Sequence, residues 1–118
     1  MPILNFQERF ANAVENGSKK QTIRKKRKIP IKNGDILYLY TGLRTKEARK
    51  LRKVKCNVVF DITINHKMIY LSSGIAINTL ESLDFFALAD GFEDWGAMYD
   101  WFQKTHGLPF KGQLIIWD

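Results

Sequence analysis

Apolar residues along this chain recur at two different spacings, and the alternation between them divides it into helices and strands. Over 6–16, Phe6, Phe10, Ala13 and Val14 fall at i, i+4, i+7 and i+8, a single stripe that predicts an amphipathic helix. Asn5 and Glu8 have capping-box spacing at its start, and Gly17 is the expected left-handed stop. The turn signature Asn33-Gly34-Asp35 leads into Ile36-Leu37-Tyr38-Leu39-Tyr40, which reads as a strand covered on both faces. A polar loop follows over 41–49, with one helical turn over 46–51. The clearest strand is 54–65, where Val54, Cys56, Val58, Phe60, Ile62 and Ile64 stand at strict period two. Asn65-His66 predicts a hairpin turn into a further strand over 67–71.

The last third returns to helical spacing. Asn78 and Glu81 cap a helix running to about residue 89, with Leu80, Leu83 and Ala87 facing inward. Asp90-Gly91-Phe92-Glu93 repeats the capping pattern before a second helix carrying Trp95, Met98, Trp101 and Phe102. Gly107 and Pro109 end it, and 113–117 is a closing strand. The pattern describes one α+β domain over 1–118, a mostly antiparallel, barrel-like sheet with about three helices.

Charge sharpens this picture. The net charge of +7 conceals a segregation: residues 1–60 hold sixteen Lys and Arg against four acids, and residues 61–118 hold three against eight. Fifteen of the nineteen cations lie between Lys19 and Lys55, a clustering that fits a polyanion better than general solubility. The single cysteine, Cys56, excludes an intramolecular disulfide and fits a buried thiol. No apolar run exceeds five residues, so neither a membrane span nor a secretory core is expected, and the cytoplasm is the default location. His66 and His106 have no His or Cys partner at ligand spacing, and the eight glycines form no phosphate-binding loop. Neither metal nor cofactor is expected. His106 reads as a favourable charge at a helix C-terminus.

The densest cationic run is 19–28, seven cations in ten residues, which reads as an edge strand or exposed loop. Lys20, Arg24, Lys25, Lys26, Arg27 and Lys28 are candidate contacts for nucleic-acid phosphates. Arg44, Thr45, Lys46, Arg49 and Lys50, in and after the loop that follows Tyr40, extend the set. Thr22 places a hydroxyl among these cations. It becomes a nucleophile only if a base takes its proton, and crowded lysines have lowered pKa values. In a regular strand Lys20, Thr22 and Arg24 share a face while Lys19 points away, so a Lys19–Thr22 pair requires a bend between them. Asp90 reads either as a helix cap or as a carboxylate facing the basic run. Tyr38, Tyr40, Trp95 and Trp101 fit either base stacking or the core.

Phe10 and Gly17 leading into Lys19-Lys20-Gln21-Thr22-Ile23-Arg24, Gly34-Asp35 before a strand, Leu39-Tyr40-Thr41-Gly42-Leu43-Arg44-Thr45, and Asp90-Gly91-Phe92 followed by Trp101-Phe102 and Gly107-Leu108-Pro109-Phe110 together carry a likeness over nearly the whole chain. In these residues the chain resembles the ASCH domain family, small bacterial or phage-type members of the PUA-like β-barrel superfamily. The resemblance implies a cleft for RNA or a nucleoside between barrel and helices. One branch of that family removes the acyl group from acetylcytidine with a lysine, a threonine three residues later and a glutamate near a helix start. Lys19 and Thr22 match the first two, and Asp90 lies where the glutamate falls, one methylene shorter. The expected function is therefore binding of RNA or a nucleotide in a basic cleft, with amidohydrolysis of an acylated cytidine by Lys19, Thr22 and Asp90 as the second reading.

Overall fold

A computed structural model describes residues 2–118. Its elements run β1 (Ile3–Phe6), α1 (Glu8–Asn16), β2 (Gln21–Arg24), β3 (Ile36–Thr41), β4 (Arg49–Ile64), β5 (Ile69–Leu71), β6 (Ala76–Ile77), α2 (Leu80–Ala89), α3 (Trp95–Thr105) and β7 (Phe110–Trp117). The class is α+β, and the strands form a mixed sheet. β4 is the spine: its first half pairs antiparallel with β3 and its second half with β7. β1 lies parallel to β3, β2 antiparallel to β7, and β5 hairpins back on β4.

The barrel expected from the sequence does not close through backbone ladders. β2 pairs with β7 and β1 with β3, but β1 and β2 do not pair with each other. Side chains span that seam. The Arg24 guanidinium donates to the Asn5 carbonyl at 2.7 Å, and Arg27 donates to the carbonyl of Ile3. Main-chain acceptors on the free edge of β1 are thus satisfied by two arginines instead of a strand.

Two apolar clusters form the core. Leu4, Phe6, Val14, Leu37, Leu39 and Trp117 pack beneath β1, β3 and α1. Ile62, Leu83, Met98, Phe102, Phe110 and Leu114 pack between the β4–β7 ladder and helices α2 and α3. The alternation along β4 breaks where it passes between them. The register slips between Cys56 and Val58, leaving Val58, Val59 and Phe60 half-buried, with Val59 against the first cluster and Phe60 against the second.

Several local expectations are corrected. Asn5 belongs to β1, because Leu4 and Phe6 alternate into the core there; its side chain accepts from the Leu43 amide at 3.1 Å, and α1 begins behind Gln7 with no side-chain cap. Gly17 stops α1 in a left-handed conformation, as expected. β3 is covered on one face: Leu37 and Leu39 are buried, while Tyr38 and Tyr40 are half-exposed. The helical turn over 46–51 is absent, because β4 starts at Arg49 to bury Leu51 against β3. Thr79, not Asn78, caps α2 through a reciprocal pair with Ser82, and Leu80 faces outward at 68% exposure. Asp94 caps α3 by accepting from the Ala97 amide at 2.8 Å, so Asp90 does not. The hairpin at 64–69, the burial of Cys56 and the closing strand follow the sequence pattern.

Candidate functional site

After the left-handed turn at Gly17, the Lys19 amide donates to the Ala13 carbonyl at 2.9 Å. Strand geometry begins only at Gln21. Lys19 therefore stands outside the alternation of β2, at the helix exit, where its amine turns to Asp90 while the Thr22 hydroxyl is engaged by Arg24. Thr22 and Arg24 lie two apart in β2, on one face, and Arg24 Nε donates to Thr22 Oγ1 at 3.1 Å. Lys19, Thr22, Arg24 and Asp90 line one cavity of about 350 Å³, walled by aromatic rings that include Phe92 and Trp101.

The polar groups at this site are buried. Lys19 is 3% exposed, Thr22 5% and Asp90 5%. Asp90 follows the last turn of α2, and its backbone carbonyl accepts from Lys19 Nζ. Its carboxylate Oδ1 lies 3.5 Å from the same nitrogen and accepts from Gln21 Nε2 at 3.3 Å. Lys19 Nζ also stands 5.1 Å from the centre of the Phe10 ring. The arginine over Phe6, at 4.7 Å, is Arg24.

Burial dominates the proton affinities here. Desolvation holds the Lys19 amine below the usual lysine range, against the pull of Asp90, with Arg24 and Arg9 lowering it further. The same desolvation lifts the Asp90 carboxyl above its usual range, opposed by Lys19 and Gln21. Arg24 is brought down to about 10 by burial and then by Arg27. The His106 imidazole, at the cavity edge, is pushed down by burial and by Lys25. That works against the favourable helix-end charge expected of it.

The three catalytic candidates, Lys19, Thr22 and Asp90, thus meet in one cavity, joined there by Arg24 and Lys25. The other cations do not line it. Lys26 pairs with Asp61 at 3.7 Å across exposed surface, and Arg49 binds Glu15 at 2.8 Å. Arg27 is engaged at the seam. Lys50 sits 5.8 Å from the Tyr38 ring. Lys20, Lys28, Arg44 and Lys46 are exposed, and Thr45 is held inside its own turn, donating to the Gly42 carbonyl and accepting from the Glu47 amide. Of the four aromatic candidates, Trp95 is core, Trp101 lines the cavity, and Tyr38 and Tyr40 lie on the sheet's outer face.

Sequence reasoning did not assign Gln21 or Phe92 to the site. Nothing local signals a contact between residues 69 positions apart, as Gln21 and Asp90 are. A larger concavity of about 730 Å³ lies over Phe85 and Leu88 and reaches Gln21; its ionisable walls are the carboxylates Glu81, Asp84, Glu93 and Asp94, with no cation to bind an anion or stabilise an oxyanion. Among the described residues no group of three or more His, Cys, Asp or Glu is placed to hold a metal, and no helix is long and apolar enough to cross a membrane. No family model matches the chain, and no curated protein or solved structure matches it either.

Proposed function

We propose that the chain is an ASCH-type, PUA-like domain whose cavity takes a nucleoside and hydrolyses an acyl amide on its base. One observation carries this reading. A buried lysine with depressed proton affinity shares a cavity with a threonine whose oxygen already accepts from an arginine. An oxygen that accepts from Arg24 has its own proton to give, and the guanidinium favours the alkoxide that results.

Lys19, neutral, takes the Thr22 proton as Oγ1 attacks the acyl carbon. The carbonyl oxygen becomes an oxyanion within reach of cationic Arg24. Collapse breaks the C–N bond, and Lys19 returns the proton to the departing exocyclic nitrogen, leaving an acyl ester on Thr22. Water then attacks the ester with Lys19 taking its proton, and Thr22 recovers a proton as the carboxylic acid leaves. The sum is amide plus water giving amine plus acid. Asp90 and Gln21 position Lys19, and the aromatic walls give the base a surface to stack on.

The test is incubation with N4-acetylcytidine, following release of cytidine. Wild type should turn it over, Thr22→Ser should retain activity, and Thr22→Ala should lose it. Equal turnover by Thr22→Ala and wild type would remove the nucleophile, and none in either would remove the reaction. A second reading, RNA held without chemistry, rests on the exposed Lys25 and Lys28, which lie in a stretch free of acids. It requires a steep fall of affinity with salt.

A further inference from the structure

The outer face of the sheet formed by β1, β3 and the first half of β4 borders the cavity at Asn5, but its tyrosines and lysines do not line that cavity, and it is unusual in content. Register aligns Ile3, Tyr38 and Lys53 across the three strands, then Asn5, Tyr40 and Lys50, with Ile36 beside Lys55. Leu37, Leu39 and Val54 fill the opposite, buried face. None of the strand residues 3–6, 36–41 or 49–56 is Asp or Glu. Lys53 and Lys50 hold their ammonium groups 5.7 and 5.8 Å from the centre of the Tyr38 ring. Beside Tyr38 the surface sinks into a concavity of about 620 Å³ that adds Arg27 and Lys32, with one acid, Asp35, whose carboxylate accepts from the Lys32 amide at 2.9 Å.

We infer that this face is a binding platform for single-stranded nucleic acid, distinct from the Lys19–Asp90 cavity. Two half-exposed aromatic rings two residues apart on one strand stand about 7 Å from each other. Sheets that take single-stranded RNA stack two or three bases on aromatics placed in this way. The lysines beside the rings meet the phosphates between stacked bases. A duplex, with its bases already stacked on one another, has no use for the rings. A membrane surface would need several protruding aliphatic groups, and beside this face Ile29 is 82% exposed while Ile3 and Ile36 are near 40%. The inference does not depend on the chemistry proposed for the cavity.

The experiment uses the full chain, a fluorescein-labelled single-stranded uridine oligonucleotide, a duplex of equal length, and vesicles of phosphatidylcholine with phosphatidylserine. Wild type should bind the single strand more tightly than the duplex. Tyr38→Ala and Tyr40→Ala should each weaken single-strand binding about tenfold, Tyr38→Phe should not, and both alanine variants should turn over acetylcytidine as wild type does. Lys53→Gln and Lys55→Gln, exposed changes that leave the core intact, should each lower the salt slope by about 0.7. These lysine variants keep the test decisive if a tyrosine variant fails to fold. Alanine variants that fold and bind like wild type, a preference for duplex, or an unchanged salt slope would overturn the inference. So would vesicle binding that survives both alanine changes and is lost in Ile29→Ser.

Discussion

Lys19 illustrates how burial decides chemistry at a single residue. In water its amine would be protonated at neutral pH and useless as a base; here desolvation lowers that affinity while Asp90 only partly restores it. Turnover should therefore rise with pH and level off below the ordinary lysine value of 10.5. Replacing Asp90 with Asn removes the attraction that favours the ammonium form. The inflection in kcat/KM should then move to lower pH, an outcome that a purely structural role for Asp90 would not produce. Stability follows the same signs. Between the lowered Lys19 value and 10.5 the unfolded chain binds more protons than the native one, so Lys19 makes stability rise with pH across that window. Asp90 acts oppositely: its contribution is fully present below 3.8 and is lost as pH rises through its raised native value. Breaking the pair from one side is expensive. Asp90→Ala should destabilise by about 3–5 kcal/mol, whereas Lys19→Met with Asp90→Leu should be far milder, as denaturant melts of the three proteins would show.

At the scale of elements, β2 does most to build the site while being only four residues long. It holds Thr22 and Arg24 in place through its ladder with β7 alone. Gly112 allows that approach: a Cβ there would lie 2.3 Å from the Arg24 carbonyl, closer than any side chain tolerates. Gly112→Ala should push the end of β2 away from β7 and cut acetylcytidine turnover by more than its loss of melting temperature implies, a comparison made by assay and thermal melt on one preparation. Elements whose apolar spacing is local were legible in the sequence. The stripe of α1, the alternation of β4 from Val54 onward and the hairpin at Asn65 needed only neighbours, whereas the first five residues of β4 read as loop and helical turn. β1 was not legible, since four residues carry little periodicity and their partner β3 lies more than thirty positions on. Caps slipped by one residue at α2 and by four at α3, because Asn, Thr and Asp near a helix start compete for one role. The site itself was half legible. Thr22 stood out as a hydroxyl among cations, but strand alternation set Lys19 apart from it, and the contact of Asp90 with both Lys19 and Gln21 depends on α2 ending against β2, which no local pattern encodes.

For the whole molecule, the open seam matters more than the ladders that surround it. The sheet runs from β1 through β3, β4 and β7 to β2, and Arg24 and Arg27 hydrogen-bond across the seam between its two ends. Arg24 is also a wall of the cavity and the donor to Thr22. The seam and the site therefore share one guanidinium, so the fit of β1 against β2 and the orientation of the nucleophile rise and fall together. Arg27 takes no part in the cavity and is exposed, which makes it the cleaner probe. Arg27→Ala leaves the Ile3 carbonyl to water, at little cost in global stability because that edge is solvent-facing. Local opening should nevertheless become easier. Amide exchange in β1 should quicken several-fold in Arg27→Ala, while the amides of β4 and β7 at the Phe60–Leu114 pairing, in the main ladder, stay as slow as in wild type. Uniform acceleration across all strands would mean that Arg27 supports the entire fold. No change in β1 would mean that its ladder to β3 holds it unaided, and that the arginines only decorate an edge.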